Sequence, residues 1–472
     1  MMGHEPPAQG KLFYLGLNLE RRVRANHPLR HIHDVVDFDF VYAKVRDLYG
    51  DNGNVSIAPP VILKLLLLLV IYNVRSEREL MDTLPERLDW LWFCGYDLDS
   101  DIPNHSVLSK ARARWGVAIF KEFFERIVHQ CVEAGLVDPN KLFVDSSLVE
   151  ANASMNSVVD TRSLAGQLSH GFKVLQARLD EEPRVRDGGP YTDTNARFVS
   201  ATDPDSTLVR RDGTRLRYQV HRAVEGQSEI ITATSVTPGD VNEGHLLLPL
   251  ADAHEANTGT AASTLVADSK YGTKDNYLEC YDRGIRAHIP STKEATDKRL
   301  EKRGMFGEER FEYEETANVI RCPAGESLKP RTIHASRQAI EFKAQRRTCA
   351  NCGLRDQCTR DKTGRSVTRH VRQADLDRME AQAKTSSCRR DLHRRQHIAE
   401  GSFAQAKRYG YKRARWRRLW RVEIQNYLTC AVQNIAKLVQ CGPRTFGAIA
   451  ALRAAVSLKL ILHFSKLGPA AD

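Results

Sequence analysis

The hydrophobic period of the chain changes at Leu142, and that change limits what it can fold into. Before it, apolar residues recur at helical spacing. Phe120, Phe124, Ile127 and Cys131 fall on one helical face, and Gly135 closes the segment. Ser76 with Glu79 three residues on forms a capping box that opens a helix, and Pro85 ends it. Ser106 can cap a further helix carrying Lys110, Arg112 and Arg114. Short helices joined by turns, one of them basic, predict a helix-turn-helix-like DNA-binding unit, with a plain helical bundle as the competing reading.

After Leu142 the period is two. Leu142 to Val149 is a short apolar run, Leu216, Tyr218 and Val220 alternate with Arg217, Gln219 and His221, and Glu229 to Thr237 is rich in β-branched residues. Pro238 and Gly239 break the chain, and Asp240 with Glu243 predicts a cap for a helix through Leu246, Leu250 and Ala253, kinked or bounded at Pro249. A strand Thr264 to Ala267, a helix Asp275 to Arg283 and a strand Ile285 to Ile289 complete the order. Three strands, helix, strand, helix, strand is an α/β unit with a mixed sheet. Pro290 to Ser387 is polar and charge-rich and interrupts the pattern as an insertion. The predicted division is a helical N-terminal domain (1–135), the first part of the core (136–290), the insertion (291–387), a helical, basic second part of the core (388–441) and a tail (442–472).

The chain is longer than one hydrophobic core usually serves, and its net charge of +11 draws it to polyanions. The excess concentrates between Arg389 and Arg421, where Arg394, Arg395, Lys407, Arg408, Lys412, Arg413, Arg415, Arg417 and Arg418 face only Asp391 and Glu400. Tyr409, Tyr411, Trp416 and Trp420 interleave with them, which favours nucleic acid over a merely solvated face. The apolar run Val61 to Val74 contains Lys64 and falls short of the about 20 residues that cross a bilayer, so no membrane role is expected. The first thirty residues lack the apolar core of a secretory signal. Ten cysteines are therefore expected as reduced thiols or metal ligands in the cytoplasm.

Cleavage of a phosphodiester by two metal ions needs carboxylates that converge from rigid elements. Asp145 interrupts Leu142-Phe143-Val144, and Asp268 ends Leu265-Val266-Ala267, so each is a candidate Mg2+ ligand as well as a candidate turn residue. Glu400 is the third candidate. Lys407 follows it by seven residues, close to two helical turns, and would share its face beside a phosphate. Separately, Cys322, Cys349, Cys352 and Cys358 supply four thiols within the insertion, a set that suits tetrahedral structural Zn2+ or else unmetallated buried thiols.

At these residues the sequence resembles the DDE transposases of bacterial insertion sequences, in the IS-four and IS-five-like superfamily and its IS-eleven-eighty-two group. The resemblance rests on Ile102-Pro103-Asn104-His105-Ser106, Val144-Asp145-Ser146-Ser147, Tyr218-Gln219-Val220-His221-Arg222-Ala223-Val224, Val236-Thr237-Pro238-Gly239-Asp240-Val241-Asn242-Glu243-Gly244-His245, Ala267-Asp268-Ser269-Lys270-Tyr271-Gly272 and Trp420-Arg421-Val422-Glu423-Ile424-Gln425-Asn426-Tyr427. It implies an RNase H-like catalytic core interrupted by an insertion before the last catalytic helix. It also implies Asp145, Asp268 and Glu400 as a triad holding two Mg2+ or Mn2+ ions. Of the superfamily's glutamate motif, Glu400 and Lys407 fit, while His393 and Gln396 occupy its tyrosine and arginine slots, leaving Arg394 or Arg395 to do the arginine's work. Lys110, Arg112, Arg394, Arg395, Lys407, Arg415, Arg417 and Arg418 are the expected DNA contacts. The expected partners are double-stranded DNA, as terminal inverted repeats and target, and a second copy of the chain in a dimer or larger assembly. The expected location is the cytoplasm, at the nucleoid when bound to DNA. Two other readings stand beside it: a catalytically silent DNA-binding regulator derived from such an element, and an RNase H-like nuclease without the joining step.

Overall fold

The computed structural model describes residues 2–3, 18–50, 55–164, 173–175, 177 and 192–440; the expected C-terminal tail lies outside them. The chain divides into two compact units, one of Met1–Ala262 with Gln396–Asp472, the other of Ser263–Arg395.

The first unit opens with helices. α1 (Pro28–Val35), α2 (Phe40–Val45), α3 (Pro59–Ile71), α4 (Glu77–Thr83) and α5 (Leu88–Cys94) lead into the long α6 (Ser106–Glu133). The run around Lys64 is indeed a core helix: α3 buries every residue from Pro59 to Val70, with the two prolines in the first turn where no N–H partner is needed. The Lys64 ammonium lies 5.5 Å from the centre of the Phe38 ring. The Ser76 cap forms as expected, its hydroxyl accepting from Glu79 N at 3.1 Å. α6 is broken at Gly116, whose φ of 65° and ψ of −170° only glycine adopts readily.

β1 (Lys141–Glu150) runs antiparallel to β3 (Thr214–Glu225), from Leu142↔Glu225 to Glu150↔Arg217. The other edge of β3 takes β2 (Thr207–Arg210) at its start and β4 (Ile231–Pro238) along its length. The sequence reading put Asp145 near a strand end. The structure puts it in the middle of β1, because pairing with β3 carries the strand on through Ser146 and Ser147. The expected Asp240 cap is replaced by Asn242, which opens a 3-10 turn (Glu243–Leu246) leading into α7 (Leu247–Thr258). Pro249 then falls in the first turn of α7, where it costs no hydrogen bond and produces no kink.

One face of β1 and β3 carries Val149, Tyr218 and Val220, packed against Ala406, Tyr411, Ala414 and Val422. These come from the C-terminal part of α10 (Ser386–Arg408), the loop after it and α11 (Leu419–Gln440). α11 is fastened to β4 by buried amides. Asn434 accepts from Ile231 N at 2.9 Å and donates to its carbonyl at 2.8 Å, and Asn426 donates to Thr234 Oγ1 at 2.8 Å. Its Tyr427 ring meets Phe124 of α6 at 5.8 Å.

The second unit contains the parallel pair β5 (Thr264–Val266) and β6 (Arg286–His288), with α8 (Lys274–Asp282) between them in sequence and α9 (Gln373–Ala383) further on. The insertion, read from sequence only as polar and charged, folds into a five-stranded antiparallel sheet. β7 (Glu312–Glu314), β8 (Val319–Arg321), β9 (Ser327–His334), β10 (Ala339–Lys343) and β11 (Ser366–His370) lie in the order 11-10-9-8-7. Phe311, Ile320, Leu328, Phe342, Ala344 and Val367 form its small core. The molecule is thus mixed α/β with a helical N-terminal region and strand pairs of both directions, as expected.

Candidate active site

Asp145 is half-buried on β1, and its Oδ1 accepts from Ser146 N at 2.8 Å. Its partner across the strands is Arg222 on β3, and antiparallel partners project from the same face of a sheet. Arg222 occupies the inward parity of the alternation Tyr218, Val220, Arg222, and it is 1% exposed. Its Nη1 donates to the Ser402 carbonyl at 3.0 Å, to Ser402 Oγ at 2.8 Å and to Gln433 Oε1 at 3.0 Å. Its guanidinium also lies 4.8 Å from the Phe403 ring, while Nε and Nη2 have no hydrogen-bond partner. One buried cation therefore ties β3 to α10 two residues beyond Glu400.

On α10, Ile398, Ala399, Ser402 and Ala406 are buried, whereas His397, Glu400, Ala404 and Lys407 are exposed. Glu400 and Lys407 thus share an outward face, as their spacing predicts. Within the first unit, then, Asp145 and Arg222 project from the face of the sheet against which the Glu400 helix packs. Asp268 belongs to the second unit. It follows β5, caps the 3-10 turn Ser269–Tyr271 and accepts from Lys270 N at 2.9 Å. Among the described residues, no group of three or more His, Cys, Asp or Glu is arranged to hold a metal ion.

The expected DNA contacts divide into two sets. Lys110, Arg394, Lys407 and Arg417 are exposed, and Arg395 and Arg418 are half-buried. Arg112 and Arg415 differ from these, because their guanidinium groups are engaged inside the fold. Arg112, 3% exposed, pairs with Glu77 and stacks 3.9 Å from the centre of the Trp416 ring. Burial, followed by the charge of Arg421, lowers its pKa to about 9. Arg415 donates to the Val74 carbonyl and, at 2.7 Å, to Asn73 Oδ1, while its own carbonyl accepts from Asn152 Nδ2 at 2.7 Å. Gly410 belongs to the same contact: with φ at 77° it lies against Asn73, and a Cβ there would meet Asn73 Oδ1 at 2.0 Å. Arg417 and Arg418 are also tied down, the first through Nε to the Asn152 carbonyl at 3.0 Å, the second through its backbone N to Asp203 Oδ1 at 2.8 Å.

The four insertion thiols are brought together. Cys322, Cys349, Cys352 and Cys358 all line one cavity of about 20 Å3, with Leu328, Ala344, Arg355 and Arg365 around them. Burial raises the Cys358 pKa; Arg365 opposes this, and the three neighbouring thiols add to it. Sequence reasoning quoted Arg222 and Asn426 only within longer motifs and gave them no role, and it did not single out Gln433 or Asn434. A charged residue at a buried parity position was the available signal for Arg222.

Two family profiles match the chain: Transposase domain (DUF772) over residues 17–114, and Transposase DDE domain over residues 321–439. Glu400 and Lys407 lie within the second match, and Asp145 and Asp268 lie between the two. No curated protein and no solved structure matches the chain.

Proposed function

We propose that this chain, an insertion-sequence DDE transposase and so a metal-dependent enzyme of DNA cleavage and strand transfer, works through Asp145, Asp268 and Glu400. These supply the hard oxygen donors that Mg2+ or Mn2+ takes, a donor set that fits two such ions. When bound, the ions activate the attacking oxygen and stabilise the leaving one. The supporting observation is the Arg222 tie, which fastens the Glu400 helix to the residue paired with Asp145.

The remaining side chains act by position. Lys407 aligns a phosphate beside Glu400, and Lys110, Arg394, Arg395, Arg417 and Arg418 steer and hold the DNA backbone. The finer family reading is the IS-eleven-eighty-two group. In it the catalytic core is RNase H-like, with the five-stranded sheet as its insertion. The substrates are duplex element ends with inverted repeats and a target duplex, processed by a dimer or larger assembly in the cytoplasm. No helix among the described residues is long and apolar enough to cross a membrane.

A second, structural ion would be held by Cys322, Cys349, Cys352 and Cys358, which line one cavity although they are not arranged as a metal site in this structure. Zn2+ is the ion that four thiolates would suit.

The test is substitution of each carboxylate by its amide. Asp145→Asn, Asp268→Asn and Glu400→Gln each abolish cleavage and joining while DNA affinity is retained, because size is kept and only the charge the metal needs is lost. Lys407→Ala slows the reaction without ending it. Near-normal cleavage by the Glu400→Gln protein removes that residue from the site, and normal cleavage by Asp145→Asn refutes the triad.

A further inference from the structure

The insertion sheet carries a feature that the proposed site does not use. β8 pairs with β9 only at Ile320↔Leu328 and Arg321↔Ser327, whereas β9 pairs with β10 from Lys329 to His334. The stretch Lys329–His334 therefore has one strand neighbour and an open edge. Between Lys329 and Arg347 there are six cations, Lys329, Arg331, Arg337, Lys343, Arg346 and Arg347, against the single acid Glu341. All but Lys343 are exposed, and those five have no carboxylate partner among the described residues. Ile333, 77% exposed, is the most exposed large apolar side chain described, and Val371 is 61% exposed. The Val371 N–H donates to the Gln338 carbonyl at 2.9 Å, in the turn that joins β9 to β10. Ile333, Ile340 and Arg369 form one row across β9, β10 and β11.

Lysine, proline and a bulge on an open strand are ordinary protection against edge-to-edge pairing, and Lys329, Pro330 and the irregularity between Pro330 and Thr332 serve that purpose. Edge protection does not account for Arg337 at the turn, for Arg346 and Arg347 beyond the strand, or for apolar side chains left in water at the tip. An open sheet edge can lie along a duplex, where cations on it meet phosphates and apolar tips press on sugars and base edges. We infer, resting on the DNA-processing function proposed above, that this open edge, β9 with the turn to β10, is a second DNA-contacting surface. Lys329, Arg331, Arg337, Arg346 and Arg347 hold duplex phosphates, and Ile333 and Val371 lie in the groove between them.

The test uses the full chain and a fluorescent duplex of arbitrary sequence, titrated without divalent metal so that the outcome is independent of the carboxylates. Lys329→Ala/Arg331→Ala/Arg337→Ala weakens binding and lowers the slope of log K against log salt by about 3, roughly 0.9 for each lost phosphate contact. Ile333→Ser weakens binding without changing the slope. Thermal melting confirms folding; should the triple variant not fold, Arg337→Glu, confined to an exposed turn, gives the deciding titration. An unchanged affinity and slope in a folded variant overturns the inference, and increased aggregation with unchanged binding assigns the exposed cations to edge protection alone.

Discussion

Replacing Arg222 by methionine should destabilise the first unit by about 3 kcal/mol, and the figure follows from what the guanidinium leaves behind. The Ser402 carbonyl keeps a partner, since Gln433 Nε2 also donates to it at 2.9 Å. Ser402 Oγ and Gln433 Oε1 each lose their bond from Nη1. A buried polar group stranded in this way costs about 1–3 kcal/mol, so two cost roughly 2–6. Against this, the substitution removes a buried cation whose Nε and Nη2 have no partner, which returns part of its desolvation cost. The assay is urea unfolding, in which about 3 kcal/mol moves the midpoint by roughly 1 M or more. The double variant Arg222→Met/Gln433→Leu should lose less than the sum of its singles by about 1–2 kcal/mol, because removing both partners strands neither. A midpoint for Arg222→Met equivalent to less than about 0.5 kcal/mol of change would refute the reasoning, since that is the scale of an indifferent surface substitution.

His221 is buried beside Thr237, its Nε2 2.9 Å from Thr237 Oγ1, and burial lowers its pKa to about 4, with Glu243 pulling weakly upward. The unfolded chain, titrating near 6.5, then binds the extra proton. The contribution of neutral His221 is complete above that pH and is lost as pH falls towards 4. Wild type should lose roughly 3 kcal/mol more than His221→Gln across this window, and parallel stability curves for the two proteins would contradict it. Purified native protein should contain about one zinc per chain, and Cys349→Ser/Cys352→Ser should lose it. Metal analysis finding no zinc in carefully prepared native protein ends that assignment.

The strands near Asp145 and Asp268 were legible as short apolar runs, Leu142-Phe143-Val144 and Leu265-Val266-Ala267, buried on both faces, and the Glu400–Lys407 face because seven residues nearly close two helical turns. The insertion sheet was not legible. Its strands expose much of both faces, and its core is drawn from Phe311, Ile320, Leu328, Phe342 and Val367, scattered among charges. The engagement of two expected DNA contacts inside the fold was not legible for a related reason. Charge patterning cannot reveal that Arg112 meets Glu77, 35 residues away, or that Arg415 meets Asn73, 342 residues away. Arg222 shows the converse: its inward parity was visible, but the partners that explain it lie in helices far along the chain.

The place of α11 bears on how the chain is made. This helix is the last described segment to leave a ribosome, yet it lies between α6, synthesised some 300 residues earlier, and β4, to which Asn426 and Asn434 bind it. Until it arrives, Phe124 lacks its ring contact with Tyr427, and the Ile231 backbone lacks both of its hydrogen bonds with Asn434. A shortened product ending before Leu419 would carry these faces into water and meet chaperones or proteases instead of DNA. A shortened chain that keeps the packing of the first unit would have to retain Leu419–Gln440.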